Sequence, residues 1–364
     1  MPPSAALIPP QPTVSRRQAL LEAAAAVAAV ALARPARADE PARADEPARA
    51  DEPARGVERG EVAFVPRAPG EAAVPEPFRL EAHAFPFERQ ELPEISKRIT
   101  RAELRFPSPV QSPVASNNTV YCELYEPRRD ERVPAVVVLH ILGGDFPLAR
   151  LFANNLAQHG VAALFLKMPY YGPRRDPQSP RRMITADPRE TVEGLTQAVL
   201  DIRRATAWLA SRPSVDPQRL GVFGISLGGI TGALAATAEP RLNNVCLLLA
   251  GGDLGRIAWE SKELAKVREA WMAKGGSRDE FLKMLSAVDP VRYGANVRGR
   301  RVLMLNARDD EVVPRACTEA LWESFGRPDI HWYPGGHYSV AIHLLNALQK
   351  TANFFATPQA EKPG

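Results

Sequence analysis

A serine lies between glycines in the segment "RLGVFGISLGGITGA", which runs from Arg219 to Ala233. Apolar residues typical of a buried strand precede it, and residues typical of a helix follow it. Gly-x-Ser-x-Gly at such a junction predicts a sharp turn that exposes the Ser226 hydroxyl. Gly224 and Gly228 flank the serine where a Cβ would clash as strand and helix converge. We interpret Ser226 as a nucleophile; the alternative is a purely structural turn.

A serine hydroxyl needs a base to become nucleophilic, and the base needs an acid to orient it. Three of the six histidines follow Ser226 in the chain: His331, His337 and His343. His331 alternates within a predicted strand, and His343 falls in the last helical pattern. His337 lies in the Gly-rich segment "YPGGHYSV" between that strand and that helix. We therefore predict that His337 is the base.

The acid is expected among three adjacent carboxylates, Asp309, Asp310 and Glu311, which follow the apolar run "RRVLMLNA". Three adjacent acids usually form a solvated turn. One of them would hold the tautomer of His337 and stabilise its imidazolium form without taking the proton.

The elements around these residues alternate between strand and helix. Eight segments have strand patterns, the first two alternating and the rest mostly apolar: 99–106, 119–126, 134–140, 160–166, 219–224, 244–250, 300–307 and 329–334. Residues 191–211 have apolar positions at helical spacing. This order predicts an α/β fold, with an eight-stranded, mostly parallel sheet and helices on both faces. Residues 254–287 are predicted to form either a small helical cap or a plain pair of surface helices.

With these motifs in order at strand ends, the region from about Ile99 to Ala356 resembles the α/β-hydrolase superfamily. Within it, the chain is similar to the dienelactone hydrolase and acetyl-xylan esterase-like branch. The segment "LKMPYYGPRR" also resembles a branch with a Pro-Tyr-Tyr-Gly motif. The family pattern Asp-x-x-Val-Pro falls on residues 310–314, which implies Asp310 rather than Asp309 as the acid.

The resemblance also implies an oxyanion hole made of backbone N–H groups. One belongs to Leu227, the residue after the nucleophile. The second comes from the loop after the strand "VVVLH", where the family usually reads His-Gly-x and this chain reads "HILGG". Leu142 matches the donor by position, and Ile141 is the next choice. His140 is expected to support this loop.

The function that follows is a serine hydrolase that cleaves a carboxylic ester through an acyl-enzyme. A peptidase, a thioesterase and a catalytically silent binding protein on the same fold are the alternatives. Tyr170 and Tyr171 could form a wall of the pocket, and Arg174 could bind a carboxylate. Those residues favour a small, polar ester with a short acyl chain.

The charge and composition of the chain limit the classes of partner and cofactor that we expect. The net charge is +4, and residues 1–38 contribute +3 of it, from four arginines and one glutamate. The rest of the chain is nearly neutral, so no nucleic-acid partner is expected. No spacing of His, Cys and Asp suggests a metal or another cofactor. Cys122, Cys246 and Cys317 are odd in number and are predicted to be buried free thiols.

The chain divides into four segments. Residues 1–38 resemble a twin-arginine export signal, with Arg16 and Arg17 before a short apolar core and a small-x-small cleavage pattern. Residues 39–93 contain a repeated "ADEPAR" unit and are expected to be a charged linker followed by a loosely ordered segment. Residues 94–357 form the hydrolase domain, and 358–364 a tail. An exported, periplasmic or extracellular protein without stable membrane insertion is expected; a cytoplasmic protein is the alternative.

Overall fold

The computed structural model describes residues 56–67, 70–144 and 146–358, without the side chains of residues 94, 95 and 263. The chain separates into two units, 1–45 and 46–364. Residues 1–55 lie outside the described residues, and with them the predicted export signal and the whole of the repeat. Within the described ranges, no helix combines the length and the apolar character needed to cross a membrane.

Ten strands form one sheet in the described part of the chain, in the order β1-β2-β3-β4-β6-β5-β7-β8-β9-β10. β1 to β4 pair antiparallel, β4 also pairs antiparallel with β6, and the remaining neighbours are parallel. The strands are β1 (Val57–Phe64), β2 (His83–Ser96), β3 (Ile99–Pro107), β4 (Thr119–Pro127), β5 (Val133–Leu139), β6 (Ala162–Leu166), β7 (Val215–Ile225), β8 (Asn244–Leu248), β9 (Arg301–Ala307) and β10 (Asp329–Tyr333).

Helices cover both faces of the sheet. Phe152 of the first helix packs against Phe223 of β7, with ring centroids 4.6 Å apart. The adjacent Val222 belongs to the core on the other face, with Leu195 and Ala233. The helices are α1 (Phe146–Gln158), α2 (Pro188–Ser211), α3 (Leu227–Ala238), α4 (Leu254–Glu260), α5 (Ala265–Ala273), α6 (Arg278–Leu285), α7 (Arg315–Ser324) and α8 (Leu344–Ala356).

The eight predicted strands correspond to β3–β10, and the predicted helix at 191–211 lies within α2. The expectation of loose order before residue 94 is wrong for β1 and β2, which extend the sheet to ten strands. Val62 and Phe64 of β1 and Phe85 and Phe87 of β2 alternate with exposed residues and are buried. The exposed Pro86 between the two phenylalanines obscures this period in the sequence.

Candidate active site

Ser226 lies at the turn between β7 and α3, at the carboxyl end of the sheet. Its backbone has φ 53° and ψ −117°, a combination that costs energy for a residue with a Cβ. A Cβ at Gly224 would clash with the carbonyl of Gly228. A Cβ at Gly228 would lie 2.6 Å from the carbonyl oxygen of His140. Glycine at both positions therefore lets strand and helix converge closely enough to hold the serine in this turn.

Three side chains form a continuous hydrogen-bonded chain. The Oγ of Ser226 lies 3.0 Å from Nε2 of His337. Nδ1 of His337 lies 2.8 Å from Oδ2 of Asp310 and 3.0 Å from its Oδ1. The carboxylate of Asp310 also accepts the backbone N–H groups of Val312 and Val313, at 2.9 and 2.7 Å. All three side chains lie in buried residues, so the surroundings fix their orientation.

The three adjacent acids have different surroundings. Asp310 follows β9 and faces the imidazole of His337, which follows β10. The carboxylate of Glu311 accepts the backbone N–H of His337 at 2.9 Å and so anchors the histidine loop. Asp309 is exposed. The structure therefore brings Asp310, the residue that the family pattern implied, against the imidazole of His337; its role as the acid stays a prediction.

The loop after β5 is held by a buried histidine. Nε2 of His140 accepts the backbone N–H of Met168 at 3.1 Å, and Nδ1 donates to the carbonyl of Ile141 at 2.8 Å. Burial lowers the pKa of His140 to about 4, so the ring is neutral near pH 7. His140 thus supports the loop, as expected from the sequence.

Two of the three residues named for the oxyanion hole line the same pocket as Ser226. Leu227 begins α3 and lines the pocket beside the serine, together with Leu142. Gly143 and Gly144 follow with φ angles of 93° and 75°, which let the loop turn back sharply. The roles of the N–H groups of Leu227, Leu142 and Ile141 stay predictions.

Arg174 lies away from the pocket. It is fully buried, with a guanidinium nitrogen 2.8 Å from the carboxylate of Asp201 in α2. The same group donates to the carbonyl of Asn117 at 2.8 Å. This corrects the expectation that Arg174 binds a substrate carboxylate, because its donors already have protein partners.

The two tyrosines also lie outside the pocket walls. Tyr170 is buried, and its N–H donates to the side chain of Asn117 at 2.9 Å. Tyr171 packs its ring against His140 at 4.7 Å between centroids, and its hydroxyl is hydrogen-bonded to the backbone of Gly143. Burial raises the pKa of Tyr171 to about 12. Instead of forming a substrate wall, Tyr171 connects the loop after β6, in which it lies, to the loop after β5.

A pocket of about 670 Å³, including its open mouth, lies beside Ser226. Its walls come from α2, α3, the segment α4–α6 and three loops, and the side chains are mostly aliphatic: Leu142, Ile184, Thr191, Leu195, Leu227, Ile230, Leu254, Ile257, Ala258, Ser261, Leu264, Leu285, Val312 and Val313. The segment 254–285 therefore forms a wall of the pocket rather than a plain surface pair. Trp259 and Trp271 do not line it; both contact Phe281, at 5.8 and 6.1 Å between ring centroids.

The three cysteines are buried and unpaired, as predicted. In the part of the chain that the structure describes, no group of three or more His, Cys, Asp or Glu side chains could hold a metal ion.

The mixed sheet, the strained serine turn and the chain order Ser, Asp, His are the architecture of an α/β-hydrolase. Two family models agree with this class. The family described as "Alpha/beta hydrolase domain containing 18" matches residues 93–254, and the prolyl oligopeptidase family matches residues 195–334. The chain belongs to the α/β-hydrolase superfamily.

An uncharacterized protein of Mycobacterium tuberculosis (strain ATCC 25618 / H37Rv) is 30% identical over 232 residues, which cover 61% of this chain and 53% of that protein. The chain thus spans about half the length of this curated relative.

Two solved structures share the fold. An acetyl xylan esterase from Paenibacillus sp. R4 has a TM-score of 0.58 at 19% identity, covering 73% of this chain and 88% of that one. Acetyl xylan esterase 1 from Thermoanaerobacterium sp. JW/SL YS485 has a TM-score of 0.54 at 20% identity, covering 72% and 87%.

Proposed function

We propose that this protein is a serine hydrolase that cleaves a carboxylic ester through an acyl-enzyme intermediate. One observation carries the proposal: the hydrogen-bonded chain from Ser226 through His337 to Asp310 at the edge of a pocket. The order and spacing of these groups match what acyl transfer requires. That two neighbours of the same fold are acetyl xylan esterases adds support for an ester substrate.

In the proposed mechanism, Asp310 occupies Nδ1 of His337 and leaves Nε2 free to accept the proton of Ser226. The serine oxygen attacks the ester carbonyl. The N–H of Leu227, with that of Leu142 or Ile141, stabilises the oxyanion, and such a donor is worth about 3–4 kcal/mol in other enzymes. The imidazolium then protonates the departing alcohol. Water, activated by the same histidine, releases the acid.

Amide cleavage is the second candidate, because the prolyl oligopeptidase family model matches residues 195–334. A peptidase would use the same three residues. Matched substrates distinguish the two reactions. An ester hydrolase cleaves p-nitrophenyl esters and leaves p-nitroanilides of the same acyl group intact.

A fluorophosphonate probe tests the proposal directly, because it phosphonylates an activated serine. We expect the wild type to be labelled at Ser226 and the Ser226→Ala variant to be unlabelled. Ser211→Ala, which changes an exposed serine at the end of α2, is the matched control and should be labelled like the wild type. A folded wild type that takes no label and cleaves no ester would instead be a silent binding protein.

For localisation we propose export. Arg16→Lys together with Arg17→Lys should leave a longer precursor in the cytoplasm, since paired arginines are the feature of the twin-arginine signal. We expect the exported protein to begin at Asp39, which N-terminal sequencing would show. Unchanged recovery of the double variant outside the cytoplasm would exclude this route.

A further inference from the structure

The pocket beside Ser226 offers a substrate almost no polar partner. Among the side chains that the structure describes in its lining, none is charged. Thr191 already bonds through its hydroxyl to the backbone of Thr185, at 3.1 Å from the amide nitrogen. Ser261 is 1% exposed, and its Oγ is buried without a hydrogen-bond partner among the described residues. Apart from the hydroxyl groups of Ser226 and Ser261, the described lining that remains is aliphatic, and such a surface binds chains of methylene groups.

The position of the pocket indicates which half of an ester it receives. It touches Ser226, Leu227 and Leu142, on the side of the expected oxyanion donors, and His337 is not among its lining residues. The departing alcohol must lie against Nε2 of the histidine, which protonates it. The group that extends away from His337, past Leu227 and into the pocket, is therefore the acyl group.

We infer that the substrate is an ester of an aliphatic carboxylic acid, whose acyl chain of several carbons extends into the pocket between α2 and the segment α4–α6. This inference rests on the proposed function and deepens it. It also replaces the expectation of a polar ester with a short acyl chain, because the residues that carried that expectation, Tyr170 and Arg174, are buried elsewhere. Ile257 and Ala258 of α4 lie in the wall and would determine chain selectivity.

The test compares p-nitrophenyl acetate, butyrate and hexanoate. A methylene buried in an apolar pocket is worth about 0.8 kcal/mol, so kcat/KM should rise about fourfold for each one added. Fluorophosphonate labelling of Ser226 is measured in parallel. If Ser226 is labelled and kcat/KM is highest on the acetate ester, this inference is overturned and the proposed function stands. Absence of labelling would overturn the proposed function.

Ala258→Phe should fill the pocket and lower the ratio of kcat/KM for hexanoate to that for acetate by tenfold or more. Ala273→Phe, the same change at an exposed position in α5, should keep the wild-type ratio. If Ala258→Phe does not fold, Ile257→Ala serves instead, and the gain per methylene should fall because part of the wall is removed. An unchanged ratio in a folded pocket variant would contradict the inference.

Discussion

At the scale of single residues, the surroundings of Asp310 explain why this carboxylate, among three in a row, meets the histidine. Two backbone N–H groups hold its Oδ1, and Nδ1 of His337 lies within hydrogen-bond distance of both of its oxygens. The tight turn at 310–313 that provides these N–H groups fixes the carboxylate before any substrate arrives. Such preorganisation is the reason an acid can hold the imidazole in one tautomer.

Asp310→Asn should therefore lower kcat by about 10⁴-fold, as the equivalent change does in a serine protease, because the amide favours the wrong tautomer. Asp309→Asn alters an exposed neighbour and should leave kcat within a few-fold of the wild type. Steady-state kinetics on one ester checks both variants, with circular dichroism as the folding control. If Asp309→Asn were the more damaging change, the assignment of the acid would be wrong.

The residues that sequence reasoning placed correctly carry a local signal. For Ser226 the signal is the flanking glycines, and for His337 it is the Gly-rich loop. For the three acids it is their position directly after a strand. Arg174 has no such signal, because its partner Asp201 is in α2, on the far side of an intervening loop. From the sequence alone, an arginine that forms an ion pair in the core cannot be distinguished from one that faces a ligand. The structure was needed to tell them apart.

At the scale of elements, the turn at Ser226 depends on how closely α3 approaches the loop after β5. The position that would receive a Cβ at Gly228 is 2.6 Å from the carbonyl oxygen of His140 and 2.7 Å from that of Leu139. Backbone atoms cannot move aside as a flexible side chain can. Any side chain at 228 would push α3 away from β5 and displace Ser226 from His337.

Gly228→Ala should consequently lower the free energy of unfolding by about 3 kcal/mol, the upper end of the usual cost of overpacking. Gly232→Ala is the matched control in the same helix. There a Cβ would meet only side chains, the nearest being Val222 at 3.3 Å, and the stability should change by less than about 1 kcal/mol. Urea denaturation measures both; equal losses would show that the approach of α3 is not what requires glycine at 228.

The sheet also shows which elements a sequence reveals. β5, β6, β8 and β9 are short and mostly apolar, as is the second half of β7, and helices cover both faces of this part of the sheet, so the strand pattern is clear in the sequence. Among their described residues, β1 and β2 each bury only two side chains, and prolines at 86 and 93 interrupt the strand pattern of β2. Their stability comes from the pairing of β1 with β2 and of β2 with β3, and from contacts such as Phe87 with Trp208 of α2, which only the folded chain supplies.

At the scale of the whole molecule, the buried His140 ties stability to pH. Burial lowers its pKa to about 4 from an ordinary value near 6.5. Between these values the unfolded chain binds a proton at this ring and the folded chain does not. By linkage, the free energy of unfolding falls as the pH falls from about 6.5 to about 4, by about 3 kcal/mol from this ring.

His140→Gln should remove this part of the pH dependence, since its amide carries no titrating group. His159→Gln changes an exposed histidine at the end of α1 and should keep the wild-type slope. Urea denaturation at several pH values between 4 and 7 gives the slopes. A His140→Gln protein that loses stability with acid as steeply as the wild type would contradict the assignment of this ring.

The separation of 111 positions between Ser226 and His337 in the chain has a consequence for synthesis on the ribosome. In the described sheet, every strand except β5 and β7 pairs with its predecessor in the chain, so most of the sheet can grow in the order in which it is translated. The histidine loop follows the last strand of that series. A polypeptide that stops before β10 contains Ser226 but not His337, so its serine has no imidazole beside it. The hydroxyl of Ser226 in the growing chain therefore has no base beside it until β10 and the histidine loop have been synthesised. The hydrogen bond between Ser226 and His337 forms only when the fold is nearly complete.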